Sequence, residues 1–256
     1  ETFQQFIDAP NQKSVASTAY HLDLDVQDYY RLCIFEFQQK ANMLSIEQSL
    51  KQFISLLKEQ FSSERTLIFY EKNKITFLIG SPFSATLTSL NETLQLLQRK
   101  WQIQHKPLFR SAISKQYKSL YNITAFYEEA LQTLRFLHVR DEWTVTSYEK
   151  IGLNQLILQV PPRDLANFIQ DQIGELLAQA NKNHLYETLL AYFKFNRSIQ
   201  QTAQHLHIHT NTLYQRLNRI EQILNISLQK QEDTLKIQLS CYLQENYLTH
   251  EEEVTK

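Results

Sequence analysis

Three histidines alternate in HLHIHTNTLYQRL, at positions 205, 207 and 209. On a strand that spacing would put the rings on one face, where they could ligate a metal. The flanking residues argue for another geometry. SIQQTAQ, just before them, has helical rather than strand character, and the residues after them repeat apolar positions at helical spacing. His205 then ends one helix, His207 falls at a turn and His209 stands just ahead of the next helix. Rings so placed do not converge, and no metal site or cofactor is expected. No Ser/His/Asp or Cys/His signature of a nucleophilic enzyme is present. The adjacent Glu128 and Glu129 diverge by about 100° on a helix and cannot share a substrate. Cys33 and Cys241 lack C-x-x-C spacing and fit a reducing cytoplasm better than a disulfide scaffold.

The helix that follows, over 210–224, carries more chemistry. At about 100° per residue, Leu213, Leu217, Ile220 and Leu224 share one narrow stripe. Opposite lie Asn211, Gln215, Asn218 and Gln222, with Thr212 and Arg219 beside them. Side-chain amides pair with adenine edges and guanidinium with guanine, so this acid-free face suits a DNA major groove. An ordinary solvated face would be richer in Lys and Glu. Arg216 lies at the edge of the stripe and could clamp a phosphate or pack against an acid such as Glu187. Tyr214 could touch DNA backbone or pack on the next helix. Ahead of this helix, Ala203, His207, Ile208 and Leu213 occupy the framework positions of a helix-turn-helix. The small Ala permits close crossing, and His207 stands at the turn, where positive φ is often needed. Ser198 is the expected N-cap of the first helix. Ser198, Gln200, Thr210 and Thr212 lie near helix starts, whose N–H groups can hold phosphates.

The elements that position this pair follow from the rest of the pattern. Of 256 residues, 43% are hydrophobic and 21% charged, with 3 Gly and 5 Pro, a globular composition dominated by helices. The net charge of −1 announces neither a basic nucleic-acid field nor disorder. No run approaches the ~20 apolar residues of a membrane span. Residues 1–21 read as a linker, and Glu1 in place of Met suggests a piece of a longer cytoplasmic protein. YYRLCIFEF (29–37), RTLIFYE (65–71), KITFLIG (74–80) and LFRSAIS (108–114) read as strands. Helices are expected at 45–61, with Ser45 as N-cap, at 84–101 and at 123–138. Lys72-Asn73-Lys74 makes the hairpin turn, with Asn tolerating positive φ. Tyr29, Tyr30, Phe35 and Phe37 alternate as strand residues facing core or sheet surface. This β-α-β-β-α-β order predicts a ferredoxin-like α+β domain over 22–140 with a helix appended. Residues 141–183 read as a connector closed by Pro161-Pro162 and a helix over 165–180. An all-α module follows at 184–248, with helices near 185–195, 199–206, 211–224 and 234–247, then a solvated tail at 249–256.

NRSIQQTAQHLHIHTNTLYQRLNRIEQIL resembles the C-terminal helix-turn-helix of PucR/CdaR-type bacterial transcriptional regulators. The family pattern is met by Ala203, Leu206, His209, Asn211, Thr212, Leu213, Arg216, Leu217 and Ile220, with His207 in place of the usual turn Gly. SYEKIGLNQLIL resembles the family's connector, and 22–140 resembles its degenerate GGDEF-like domain. The resemblance implies a DNA-binding regulator and a sensory domain upstream. Diguanylate cyclases, whose fold the first domain resembles, use a Gly-Gly-acid-acid-Phe turn. Here the hairpin is YEKNKITF, without the glycines that let backbone approach a phosphate, so no cyclase activity is expected. The implied partners are a double-stranded DNA operator, a second copy of the chain and a small-molecule effector. The DNA-contacting set is Ser198, Gln200, Thr210, Asn211, Thr212, Gln215, Arg216, Asn218 and Arg219. A different class of reading is a signalling or dimerising module with a nucleotide-sensing GGDEF-like domain and no direct DNA contact. Charge is the difficulty for DNA. Over 184–246, Lys194, Arg197, Arg216, Arg219, Lys230 and Lys236 face Glu187, Glu221, Glu232, Asp233 and Glu245, nearly neutral where DNA-binding modules are commonly basic.

Overall fold

In the computed structural model the described residues are Ile7, 11–39, 43–104 and 106–248. The chain divides into two compact units, Glu1–Gln159 and Val160–Lys256. The expected tail at 249–256 and the side chain of Ser45 lie outside the described residues.

The first unit runs α1 (Gln12–His21), β1 (Tyr29–Phe37), α2 (Met43–Gln60), β2 (Arg65–Glu71), β3 (Lys74–Ser81), α3 (Ser84–Thr88), α4 (Leu90–Ile103), β4 (Phe109–Ile113), β5 (Tyr117–Lys118), α5 (Ile123–Val139), β6 (Val145–Ser147) and α6 (Asn154–Ile157). The sheet order is β2-β3-β1-β4-β6, with β5 pairing β1. β1, β2, β3 and β4 pair antiparallel, which is the ferredoxin-like order expected from the sequence. Strand alternation sends Cys33, Phe35 and Phe37 of β1 to one core, with Phe53 of α2 and Trp101 of α4. Tyr30, Leu32 and Ile34 face a second core, closed by Phe126, Ala130 and Leu134 of α5.

Several expectations need correction. Residues 12–21 are not linker but a helix, capped by the Asn11 side chain accepting from Ser14 N at 3.1 Å. Val15 and Ala19, four apart, bury one edge of it in the second core. The connector also contributes β6, which pairs parallel with β4. At the β2–β3 hairpin the positive φ falls on Lys72, at 55°. Asn73 uses its side chain instead, donating from Nδ2 to the Phe37 carbonyl at 2.7 Å. Glu129 is buried as an acceptor for Lys115 N and the Tyr117 hydroxyl, while Glu128 is exposed.

The second unit is helical: α7 (Pro162–Asn183), α8 (Leu185–Lys194), α9 (Ile199–His205), α10 (Thr210–Leu224) and α11 (Gln231–Leu243), ending in a π-helical turn at Gln244–Leu248. α7 outruns the expected 165–180 because Pro162 starts the helix, where its missing N–H costs nothing. Leu165, Ile169, Ile173 and Leu176 bury its inner stripe, and α11 packs along it. His184, in left-handed conformation at φ 51°, separates α7 from α8.

Candidate nucleic-acid interface

α9 begins at Ser198, whose Oγ accepts from Gln201 N at 3.4 Å, as an N-cap should. Thr202 and Ala203 are its buried residues, and Ala203 O accepts from Ile208 N at 3.0 Å across the turn. His207 sits in that turn at φ 54°. The left-handed conformation anticipated for the missing glycine is thus present, carried by a side chain that tolerates it. His205 closes α9 with its ring 4.9 Å from Phe195. His209 has a task that sequence reasoning missed. It is the N-cap of α10, its Nδ1 accepting from Asn211 N at 3.2 Å. Ser, Thr, Asp and Asn are the usual caps, so propensity alone does not single out a histidine. The alternating histidines are a helix end, a turn and a cap.

Leu213, Leu217 and Ile220 are buried along α10, and Leu224 is half-buried. The exposed positions of α10 are Asn211, Tyr214, Gln215, Asn218, Arg219 and Gln222, none of them acidic. Arg219 Nη1 lies 3.4 Å from Gln222 Oε1 on that face. Thr210 and Thr212 are half-buried at the helix start, and on α9 Gln200 is exposed beside half-buried Ser198. Tyr214 is 53% exposed, so the reading that packs it on the next helix is not what the geometry gives. Arg216 is half-buried rather than exposed. Its position falls within about 60° of the apolar stripe, and its Nη1 donates to Thr188 Oγ1 of α8 at 3.2 Å. Glu187, the expected acid partner, pairs instead with His184 at 2.9 Å. Arg216 is therefore tied inward to a hydroxyl.

α10 ends at Asn225 in left-handed conformation, and the loop to α11 is tied down by carboxylates. Glu221 accepts from Leu228 N at 2.6 Å and Asp233 from Ser227 N at 2.9 Å. The Ser227 amide, with Lys236, holds the Asp233 carboxyl below its ordinary range. Burial pushes the Cys241 thiol up to about 12, Glu245 adding to it, which marks it as a packing residue. Among the described residues no group of three or more His, Cys, Asp or Glu could hold a metal ion.

A short capped helix, a left-handed turn and a second helix with an acid-free polar face make up a helix-turn-helix, the arrangement with which many transcriptional regulators bind DNA. The chain belongs to the PucR-type family of such regulators. Residues 185–243 match the PucR C-terminal helix-turn-helix domain, and residues 8–136 match the GGDEF-like domain. Among curated relatives, the purine catabolism regulatory protein of Bacillus subtilis (strain 168) is 26% identical over 181 residues, covering 69% of this chain and 34% of that protein. The DNA-binding transcriptional activator AdeR of the same organism is 24% identical over 209 residues, covering 77% and 46%. The chain thus spans less than half the length of these two relatives. A crystal structure of a regulator of polyketide synthase expression from Bifidobacterium adolescentis aligns at 13% identity with a TM-score of 0.40, over 94% of this chain and 90% of that one.

Proposed function

We propose that this chain is the operator-reading part of a cytoplasmic regulator that binds a repeated DNA site as a dimer under small-molecule control. α10 enters the major groove, and Asn211, Thr212, Gln215, Asn218 and Arg219 read base edges. Ser198, Gln200 and Thr210 stand at helix starts whose N–H groups hold phosphates. Arg216 serves by fixing α10 on α8 through Thr188. The observation that carries this reading is the exposed face of α10: amides and a guanidinium with no carboxylate, on a helix anchored by a buried stripe. Dimerisation is argued from charge. A nearly neutral module gains little from phosphate attraction, and engaging two half-sites restores affinity through effective concentration. Catalysis is not part of the reading, because the hairpin Glu71-Lys72-Asn73-Lys74 lacks the paired glycines that a cyclase turn uses.

The test is genomic binding-site sequencing with the intact protein, which yields the operator and its symmetry. The double variant Gln215→Ala/Arg219→Ala should then lose specific operator binding while keeping its fold by circular dichroism. A folded double variant that still selects the operator would sink the assignment of these residues. A single half-site bound as tightly as the whole repeat would sink the dimer.

A further inference from the structure

A cleft of about 930 Å³ opens in the first unit where the end of β1, the β2–β3 hairpin, β4 and α5 meet. That is within the size range of small-molecule sites. At its floor Glu36 is met by three basic side chains: His138 at 2.8 Å, Lys74 at 3.2 Å and Arg110 at 3.5 Å. Arg110 is itself only 4% exposed. Its guanidinium lies over the Trp143 ring, 3.9 Å from the centroid, and Nη1 donates to the Leu137 carbonyl at 3.0 Å. Asp141 stands 3.7 Å from Nη2 on the solvent side. The Nε of Arg110 has no hydrogen-bond partner, since its approach to Glu36 is an ion-pair distance only. That Nε is closed off from solvent beside Glu36, so what Arg110 brings to the cleft is its positive charge.

The rest of the lining gives the ligand's chemistry. Lys72, Lys74 and Arg110 outnumber Glu36 and Glu71 among the lining charges, before any proton on His138 is counted, so the cleft favours an anion. Tyr70 and Leu131 line it too, and both are among the large apolar side chains left exposed, at 54% and 40%. With Trp143 they offer flat and apolar contact beside the cationic floor. We propose that this cleft binds a small anion, a carboxylate or phosphate, carried on a flat ring. The anion sits against Lys72 and Lys74, within the field of Arg110, and the ring lies along Tyr70 and Leu131.

The chain has two tryptophans, which makes the test internally controlled. Trp143 lines the cleft, whereas Trp101 is buried in the core on the other face of the sheet, its Nε1 donating to Pro107 O at 2.9 Å. The whole chain, labelled with ¹⁵N at tryptophan, is titrated with benzoate, phenyl phosphate and the neutral benzyl alcohol. Benzoate or phenyl phosphate should move the Trp143 indole resonance saturably and leave Trp101 still, and the tighter of the two names the anion. Benzyl alcohol should bind at least about tenfold more weakly. Lys72→Glu and Tyr70→Ala, both at exposed positions, should each raise the Kd of the binding anion about fivefold. The proposal is overturned if neither anion gives a saturable shift, if benzyl alcohol binds equally well, if both indoles move together, or if neither variant changes the affinity.

Discussion

Replacing His207 by glycine should stabilise the helix-turn-helix, and the structure gives the size of the effect. His207 holds φ 54° on an exposed side chain. A left-handed conformation costs a residue with a Cβ about 1–2 kcal/mol, which glycine avoids. Glycine gives back about 0.4–1 kcal/mol through the greater freedom of its unfolded chain. The difference is a net gain of about 0.5–1 kcal/mol, or about a two- to fivefold rise in hydrogen-exchange protection. Two amides report it directly. Ile208 N–H is bonded to Ala203 O across the turn at 3.0 Å, and Leu213 N–H to His209 O at 3.1 Å in the first turn of α10. Amides of α5, in the other unit, are the control. His207→Val should act in the opposite direction, because a β-branched residue at positive φ is a true outlier. Both variants keep the face of α10, so operator affinity should follow stability only weakly. Lower protection in the glycine variant, or unchanged protection in the valine variant, would refute the claim that backbone conformation selects the residue at 207.

Three further outcomes can be checked in simple assays. Ala203, 3% exposed where α9 meets the turn, leaves no room for a larger side chain. Ala203→Leu should cost about 1–3 kcal/mol by overpacking and abolish operator binding, measured by thermal melting and fluorescence anisotropy. The Glu36 carboxyl would be raised by burial, but bonding from His138, their attraction and that of Lys74 outweigh this and hold it below its ordinary 4.5. Its stabilisation is therefore fully present above pH 4.5 and is lost as pH falls below that value toward the folded pKa. Glu36→Gln should flatten that part of the urea-stability profile, and an unchanged acid slope would count against the ion-pair hub. Burial pushes both the Cys33 and the Cys241 thiol up to about 12. Neither should react with a disulfide reagent at pH 8 in the native protein, and both should react in urea; fast native labelling would contradict their burial.

Local periodicity made the scaffold legible. The α10 stripe and the four antiparallel strands are set by neighbours within a few residues, and they stand where the pattern put them. What escaped depends on distant partners or on weak local signals. α1 shows only Val15 and Ala19 as an apolar edge, too little to read as a helix without the core it closes. β6 is three residues long and becomes a strand only by pairing with β4. Arg216 lies at the same angle on α10 whether it clamps DNA or packs, and its bond to Thr188, 28 residues earlier, leaves no trace in that angle. The cleft around Glu36 draws on β1, the hairpin, β4 and α5, and no single segment carries its signature.

The near-neutral charge of residues 184–246 has a structural answer that a residue count hides. Four of their five acids have work inside the framework. Glu187 pairs with His184, Glu221 and Asp233 cap the loop after α10, and Glu245 accepts from the Tyr186 hydroxyl at 2.9 Å. Glu232, the fifth, lies in the first turn of α11, where a carboxylate complements the helix dipole. None is among the exposed residues of α10, whose one formal charge is Arg219, and exposed Arg197 immediately precedes the α9 cap. Phosphates meeting the helix pair therefore encounter cations and helix N-termini locally, even though the sum over 184–246 is close to zero. Affinity should then fall with salt, but with a shallow slope set by few phosphate contacts. Arg197→Ala should reduce that slope by about 1 per protomer while leaving base preference unchanged, and Arg219→Ala should relax the preference itself. Measuring operator affinity against salt for both variants separates attraction from reading. Equal effects on the two quantities would mean that α10 holds DNA without reading it.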